Sequence, residues 1–130
     1  AERCRAMPKI ALVAPAGDSR LLDGQAQPAA AVDLLLRMIS MGQPHNALPL
    51  TGAFCAAVAA RIAGTLVAEA LAARPAEATL RLGHPSGVLE VDATVERGDP
   101  WIARAATAFR TARILMSGSV MVSTAPENQR

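Results

Sequence analysis

The chain has 130 residues, of which 52% are hydrophobic and 18% charged, and a formal net charge of +2. That length suits one domain with a real core and is short for two, and the apolar share excludes a disordered polypeptide. The isoelectric point is near 9.0, but the basic residues are scattered and never adjacent, which argues against nucleic-acid binding.

Residues Pro8 to Ala14 form a short apolar run closed by Pro15 and Gly17, the pattern of a buried strand. Asp18 to Pro28 is polar, carries Gly24 and reads as a surface loop. From Ala29 to Met41, Val32, Leu35, Leu36 and Ile39 recur at helical spacing, and Gly42 fits the residue just past a helix end. A polar, glycine-punctuated loop through His45 then leads to a second helix starting near Thr51, with Thr51 as N-cap and Phe54, Val58 and Ile62 on one stripe. Alanine fills most other positions of that helix, so neighbouring backbone can pass close to it, as inside a curved sheet. Gly64 interrupts it, and the pattern from Thr65 to Ala73 fits strand and helix equally.

Thr79 to Gly83 and Val88 to Val95 read as antiparallel strands joined by the turn His84-Pro85-Ser86-Gly87. In the second, Leu89, Val91, Ala93 and Val95 share one face and Glu90, Asp92, Thr94 and Glu96 the other, as in a half-solvated strand. A turn at Gly98-Asp99-Pro100 leads into a strand from Trp101 to Ala108, then a short helix or turn from Arg110 to Met116. Val120 to Val122 closes the ordered part, and residues 125–130 form a tail. The fold class expected is α+β: one domain over residues 1–130, an antiparallel sheet wrapped on an alanine-rich helix.

Cys4 and Cys55 are far apart and have no ligand spacing with His45 or His84. Two free thiols in a reducing, cytoplasmic setting are expected, with one disulfide as the alternative, and no metal site is indicated. Leu48 to Ala73 is apolar, but Pro49, Arg61, Glu69 and two glycines favour a buried helix over a membrane span. The chain opens at Ala1 without an initiator Met, which suggests a processed or partial polypeptide.

The candidate chemistry lies in loops and at helix ends. His45 stands in the loop before the Thr51 helix, where exposed amides and the helix dipole favour a carboxylate. Thr51 would add a hydroxyl, and Gly52 would let a substrate approach the amides. His84 and Ser86 lie in a constrained turn where Gly87 supplies positive φ, and they are candidates for a second polar end of a ligand. Cys55, near the helix start, reads best as a small buried core residue. Arg110 and Arg113, three apart, would share one face of a helix and are candidates to pair with a dicarboxylate or with nearby acids.

Taken in order, Ser40-Met41-Gly42-x-x-His45-x-Ala47, Thr51-Gly52-Ala53, His84-Pro85-Ser86-Gly87 and Arg110-Thr111-Ala112-Arg113 followed by Met116-x-Gly118 resemble the C-terminal half of the methylaconitate isomerase, or PrpF, family. That family includes 4-oxalomesaconate tautomerases and methylitaconate isomerases. The resemblance runs from Pro8-Lys9 through Val122 and implies a diaminopimelate epimerase-like half, a curved antiparallel sheet around a central helix. It further implies a double-bond shift by proton transfer in unsaturated di- or tricarboxylates, in a cleft between two halves, with no metal or organic cofactor. On this chain Thr51, Gly52 and Ala53 would then form an amide cradle, His45 and the turn from His84 to Gly87 would line the cleft, and His45 is the candidate catalytic group. Arg110 and Arg113 are further candidates to bind substrate carboxylates.

The same resemblance places the family's lysine and its cysteine or serine in the other half, and Lys9, the only lysine here, is a poor substitute. Ala63 and Ser123 stand where the family tends to have proline. The expected partners are a small carboxylate and either the missing N-terminal half or another copy of the chain, with no nucleic acid and no membrane. A non-catalytic binding or assembly module built on the same fold is the alternative reading.

Overall fold

The computed structural model describes residues 9–71 and 78–122. Its main element is a six-stranded sheet built from β1 (Ile10–Pro15), β4 (Leu34–Ser40), β5 (Gln43–Pro44), β6 (Leu80–His84), β7 (Gly87–Glu96) and β8 (Ile102–Phe109). The order is β1-β4-β6-β7-β8, and β5 continues the column of β6 by pairing with the far end of β4. Only β4 and β6 run parallel. A separate two-stranded ribbon joins β2 (Ser19–Arg20) to β3 (Ala26–Gln27). Two helices, α1 (Leu50–Ala60) and the short α2 (Leu66–Ala70), complete an α+β arrangement with a mostly antiparallel sheet.

The expected helix from Ala29 to Met41 is a strand. Only Ala29–Ala31 makes a single 3-10 turn, and from Leu34 burial alternates strictly, with Leu34, Leu36, Met38 and Ser40 inward. The cluster Leu34-Leu35-Leu36 with Met38 and Ile39 satisfies both periods, and cross-strand pairing on both sides decides for two. Gly42 therefore ends no helix. Met41 at φ 53° and Gly42 at φ 73° form the two-residue loop of the β4–β5 hairpin, the positive-φ pair that matches the twist of the flanking strands.

Other elements follow their sequence patterns more closely. The β6–β7 hairpin closes at the pair His84↔Gly87, and the inward face of β7 is Leu89, Val91, Ala93 and Val95. β8 matches the strand expected from Trp101, displaced by one residue at each end. The polar loop from Asp18 to Pro28 contains the β2–β3 ribbon. β1 is a strand as expected but an exposed one, since among the described residues it stands at the sheet edge and pairs with β4 only. Residues 110–122 have neither helix nor turn and are exposed, so no helical face unites Arg110 and Arg113. The expected tail, Cys4 and Ser123 lie outside the described residues.

The core lies between α1 and the sheet. Leu34, Leu36, Leu80, Leu82 and Val91 are fully buried against Ala53, Ala56 and Ala57. The buried stripe of α1 is thus its alanines, while Phe54, Val58 and Ile62 are half-buried beside it. Spacing of three and four residues puts the alanines on one face, and their small size lets the helix axis sit close to the strands. Each fully buried leucine contributes about 2 kcal/mol.

Two ion pairs tie loop ends to this core. Arg61, just past α1, donates to Asp92 Oδ1 at 2.7 Å and to the Ala78 carbonyl at 2.7 Å. The buried Asp33 carboxylate accepts the Arg81 backbone N–H at 2.8 Å and the guanidinium Nη2 at 2.8 Å, which fixes the parallel junction of β4 and β6. Its side chain is 4% exposed and that of Arg81 33%, so the loss falls mainly on the hydrogen bonds of the buried partner. Asp33→Ala should cost about 2 kcal/mol, read as a lower urea midpoint at unchanged m-value.

Candidate functional site

Register brings three sequence-distant segments to one end of the sheet. β4 outruns β6, β5 folds back on its far end, and the chain then passes His45 and Asn46 to α1. Because β5 sits in the column of β6, the loop after it meets the β6–β7 turn. The Ser86 hydroxyl donates to the Asn46 carbonyl, and the His45 backbone N–H donates to the Met38 carbonyl at 2.7 Å. The His45 loop, which leads into α1, therefore meets the β6–β7 turn, with the His45 imidazole exposed.

The β2–β3 ribbon supports the turn from the other side. Leu22 N–H donates to the Pro85 carbonyl at 2.8 Å, and Gln27 Nε2 to the Gly87 carbonyl at 2.9 Å. Gly87 sits at φ 132°, a conformation few other residues adopt. Within the turn, Ser86 N–H donates to His84 Nδ1 at 3.1 Å, so the neutral imidazole keeps its proton on Nε2.

Burial first and the nearby Arg37 charge second hold the His84 pKa below the ordinary histidine value. A depressed histidine favours folding while it is neutral in both states. That contribution is intact above about pH 6.5, the unfolded value, and is lost as pH falls through the folded pKa. His84→Asn keeps an acceptor for Ser86 without titrating. Urea midpoints at neutral and mildly acidic pH should fall less steeply for the variant than for the parent chain.

α1 differs in one respect from its sequence reading. Pro49 holds the N-cap position with no side-chain cap, and Thr51 is the second helical residue. A proline suits the extended backbone required there, and its missing N–H is of no consequence at a position outside the ladder. The first intrahelical bond runs from Ala53 N–H to the Pro49 carbonyl at 3.0 Å, and Ala53 is fully buried. Ala53 thus has its amide engaged and drops out of the cradle; the amides ahead of the ladder belong to Leu50, Thr51 and Gly52. A Cβ on Gly52 would run into the Met38 methyl group, so close packing on β4 accounts for this glycine as well as access does.

Beside that helix end, between α1 and the strands β1 and β4, lies a cavity of about 950 Å³. Its walls are almost all apolar, and Lys9, Thr51 and Gly52 are among its lining residues. Cys55 also lines it and is an exposed free thiol, not the buried core residue expected, because it opens into this cavity. Arg110 and Arg113 are not brought to the site by any described contact. β8 only carries the chain out of the sheet at the end where β7 begins.

Sequence reasoning passed over Arg37 and Asn46, and it gave no sign that Lys9 lines the same cavity as Thr51. Arg37 is the lone charge in the run Leu34 to Ile39, and that isolation was a legible sign. It donates to the Leu36 carbonyl at 2.9 Å and stands close enough to act on His84. Among the described residues no group of three or more His, Cys, Asp or Glu side chains is placed to hold a metal ion, and no helix is long and apolar enough to cross a membrane.

Known proteins are similar to this chain in sequence and in fold. The 2-methyl-aconitate isomerase of Cupriavidus necator is 44% identical over 116 residues, which are 88% of this chain and 29% of that protein. The 3-methylitaconate isomerase of Eubacterium barkeri is 36% identical over 125 residues, 95% of this chain and 32% of that protein. A crystal structure of methylitaconate-delta-isomerase superposes with a TM-score of 0.70 at 33% identity, over 84% of this chain and 29% of that one. The chain thus spans about three-tenths of the length of the curated relatives it matches. With the sequence profile of the PrpF protein matching residues 1–123, the chain belongs to the PrpF family.

Proposed function

We propose that this chain forms part of an isomerase that shifts a double bond in an unsaturated di- or tricarboxylate, and that the α1 end of its sheet holds one substrate carboxylate. The observation that carries this reading is the convergence of an uncapped helix N-terminus with the His45 loop and the β6–β7 turn. Partial positive charge at Leu50, Thr51 and Gly52 favours an anion, and the Thr51 hydroxyl adds a donor. Proton removal beside a carboxylate builds enolate-like charge, and donors already in place lower the barrier without reorganising.

The two relatives are named for 2-methyl-aconitate and 3-methylitaconate, and methyl-branched acids of that kind are the proposed substrates. His45, whose imidazole is exposed, is the proposed acid/base group on this side of the site. His84, Ser86 and Gly87 form its second wall. The main proton-moving groups, a lysine and a cysteine or serine, are proposed to come from outside this chain, with no metal or organic cofactor and in the cytoplasm. A curved sheet around α1, as in half of a diaminopimelate epimerase, belongs to the same proposal. Arg110 and Arg113 would join only once the segment after β8 is fixed by the rest of the polypeptide.

The test is a chimera in which this chain replaces the 116-residue matching stretch of the Cupriavidus necator protein. Incubated with 2-methylaconitate in deuterated water, it should isomerise the acid and incorporate deuterium, while the chain alone should do neither. A folded chimera that catalyses neither process would overturn the reading.

A further inference from the structure

A buried hydroxyl at the far end of β4 lacks the partner that its burial calls for. Three polar or charged residues are buried among the described residues, Gln27, Asp33 and Ser40. Gln27 is held by Ser19 and Gly87, and Asp33 by Arg81. Ser40 is only 9% exposed, yet among the described residues no hydrogen bond engages its hydroxyl. A polar group withdrawn from water needs a partner. Since no fully enclosed side-chain oxygen among the described residues lacks one, the Ser40 oxygen borders open space, where a ligand can supply the missing bond.

Strand register identifies its neighbours. Ser40 follows Leu34, Leu36 and Met38 on the inward face of β4, and Met38 packs on Gly52 at the start of α1. One step beyond the last β1–β4 pair, Ile10↔Ile39, Lys9 stands opposite Ser40. Alternation puts Lys9 on the inward face with Ala11 and Val13, and all three line the cavity that Thr51 and Gly52 also line. Opposed side chains of an antiparallel pair start only about 5 Å apart at Cβ. The cavity lining, which Val67 of α2 helps to form, contains no Asp or Glu, and Lys9 has no ion pair among the described residues. A cation without a counter-charge and a donor without an acceptor thus share one face, across from the positive end of a helix.

We infer that Lys9 and Ser40 form a second carboxylate site, which takes the other acid group of the substrate while the start of α1 holds the first. The assignment rests on the reading of that helix end as a carboxylate seat. It gives this chain its own preference for a dicarboxylate over a monocarboxylate. Lys9 supplies a point charge on a flexible stem, and Ser40, fixed in the strand, supplies a directed hydrogen bond. Apolar walls around the pair strengthen the attraction beyond its value in water. Lys9 binds and moves no proton, in keeping with its place in a strand away from the proposed His45 acid/base group.

The test is a calorimetric titration of the family-length chimera with 2-methylsuccinate, a saturated diacid that cannot turn over, and with each of its two monoamides. Lys9→Met should weaken binding of the diacid about thirtyfold and leave one monoamide within about threefold, since that ligand carries no charge at the Lys9 end. Lys9→Arg should restore diacid binding to within about threefold of the parent. Ser40→Ala should weaken the diacid about fivefold at an unchanged urea midpoint, because its hydroxyl has no protein partner to lose. Should the chimera not fold, the remainder of the relative is added as a separate polypeptide and the same titrations are made. Unchanged diacid binding in Lys9→Met, equal losses for the diacid and both monoamides, or no diacid binding by the parent overturns the inference. So does a lowered midpoint for Ser40→Ala, which would assign the hydroxyl to the fold. Isomerisation is scored separately. Lys9-dependent diacid binding without turnover contradicts the functional reading alone, and turnover with Lys9-independent binding contradicts the second site alone.

Discussion

Thr51→Asp should make the protein more stable and a worse carboxylate binder at once. At the second position of α1, a carboxylate meets the positive end of the helix and should add about 0.5 kcal/mol of stability. In the family-length chimera the same group occupies the place proposed for the substrate anion, and like charges in close contact cost several kcal/mol. KM for the acid should then rise about a hundredfold, equivalent to about 2.7 kcal/mol, while Thr51→Ser should stay close to the parent. A purely structural role for Thr51 predicts the first effect without the second. Urea midpoints and steady-state kinetics on the same preparation separate the two, and an unchanged KM with raised stability would count against the carboxylate seat.

Gly83→Val should be the most destabilising single change on the outer side of the sheet. A Cβ at Gly83 would lie 2.8 Å from Gln27 Oε1, 2.8 Å from Leu35 Cδ2 and 2.9 Å from Val32 Cγ1. Three neighbours cannot retreat together, because Gln27 is held at both ends. Its Oε1 accepts from the Ser19 hydroxyl at 3.0 Å, and its Nε2 donates to the Gly87 carbonyl. Displacing it unfastens the β2–β3 ribbon from the His84–Gly87 turn. The expected loss is at least about 3 kcal/mol, seen in the urea midpoint, with faster proteolysis near Gln25 and Gln27 at low denaturant. Gly83→Ala should show a smaller loss of the same kind. A neutral Gly83→Val would mean that the ribbon does not pack on β6 as described.

Strands with one solvated face were legible in the sequence because their alternation leaves no second period open. In β7, Glu90, Asp92, Thr94 and Glu96 mark one face, and the turn before it is signalled by Pro85 and Gly87. β4 was not legible, since it is apolar on both faces and its leucines fall at helical and strand spacing alike. A parallel partner on one side and an antiparallel one on the other override the local preference there. α1 was legible from the stripe of Phe54, Val58 and Ile62, although its buried face is the alanines, and its cap lies two residues earlier, at Pro49, because the backbone restriction of proline outweighs the favourable cap residue Thr51.

The candidate site was legible as a set of segments and not as contacts. His45 and Ser86 were singled out separately, and what joins their loops is the Ser86 bond to Asn46, forty positions apart. No local pattern encodes that bond. It follows from β5 standing in line with β6, which becomes visible only when β4 is recognised as a strand. Arg110 and Arg113 were selected on an assumed helical turn that the described backbone does not make. Family membership was legible from ordered motifs, whereas the cavity beside α1 depends on the fold of β1 against β4 and had no sequence signal beyond an apolar strand without charges.

The most direct test of the proposed site is a crystal structure of the family-length chimera with a bound unsaturated dicarboxylate. The account predicts a carboxylate oxygen about 3 Å from the Thr51 or Gly52 amide nitrogen, with His45 and the Ser86 turn flanking it. A carboxylate bound elsewhere in a catalytically active chimera, with water alone at the start of α1, would contradict it.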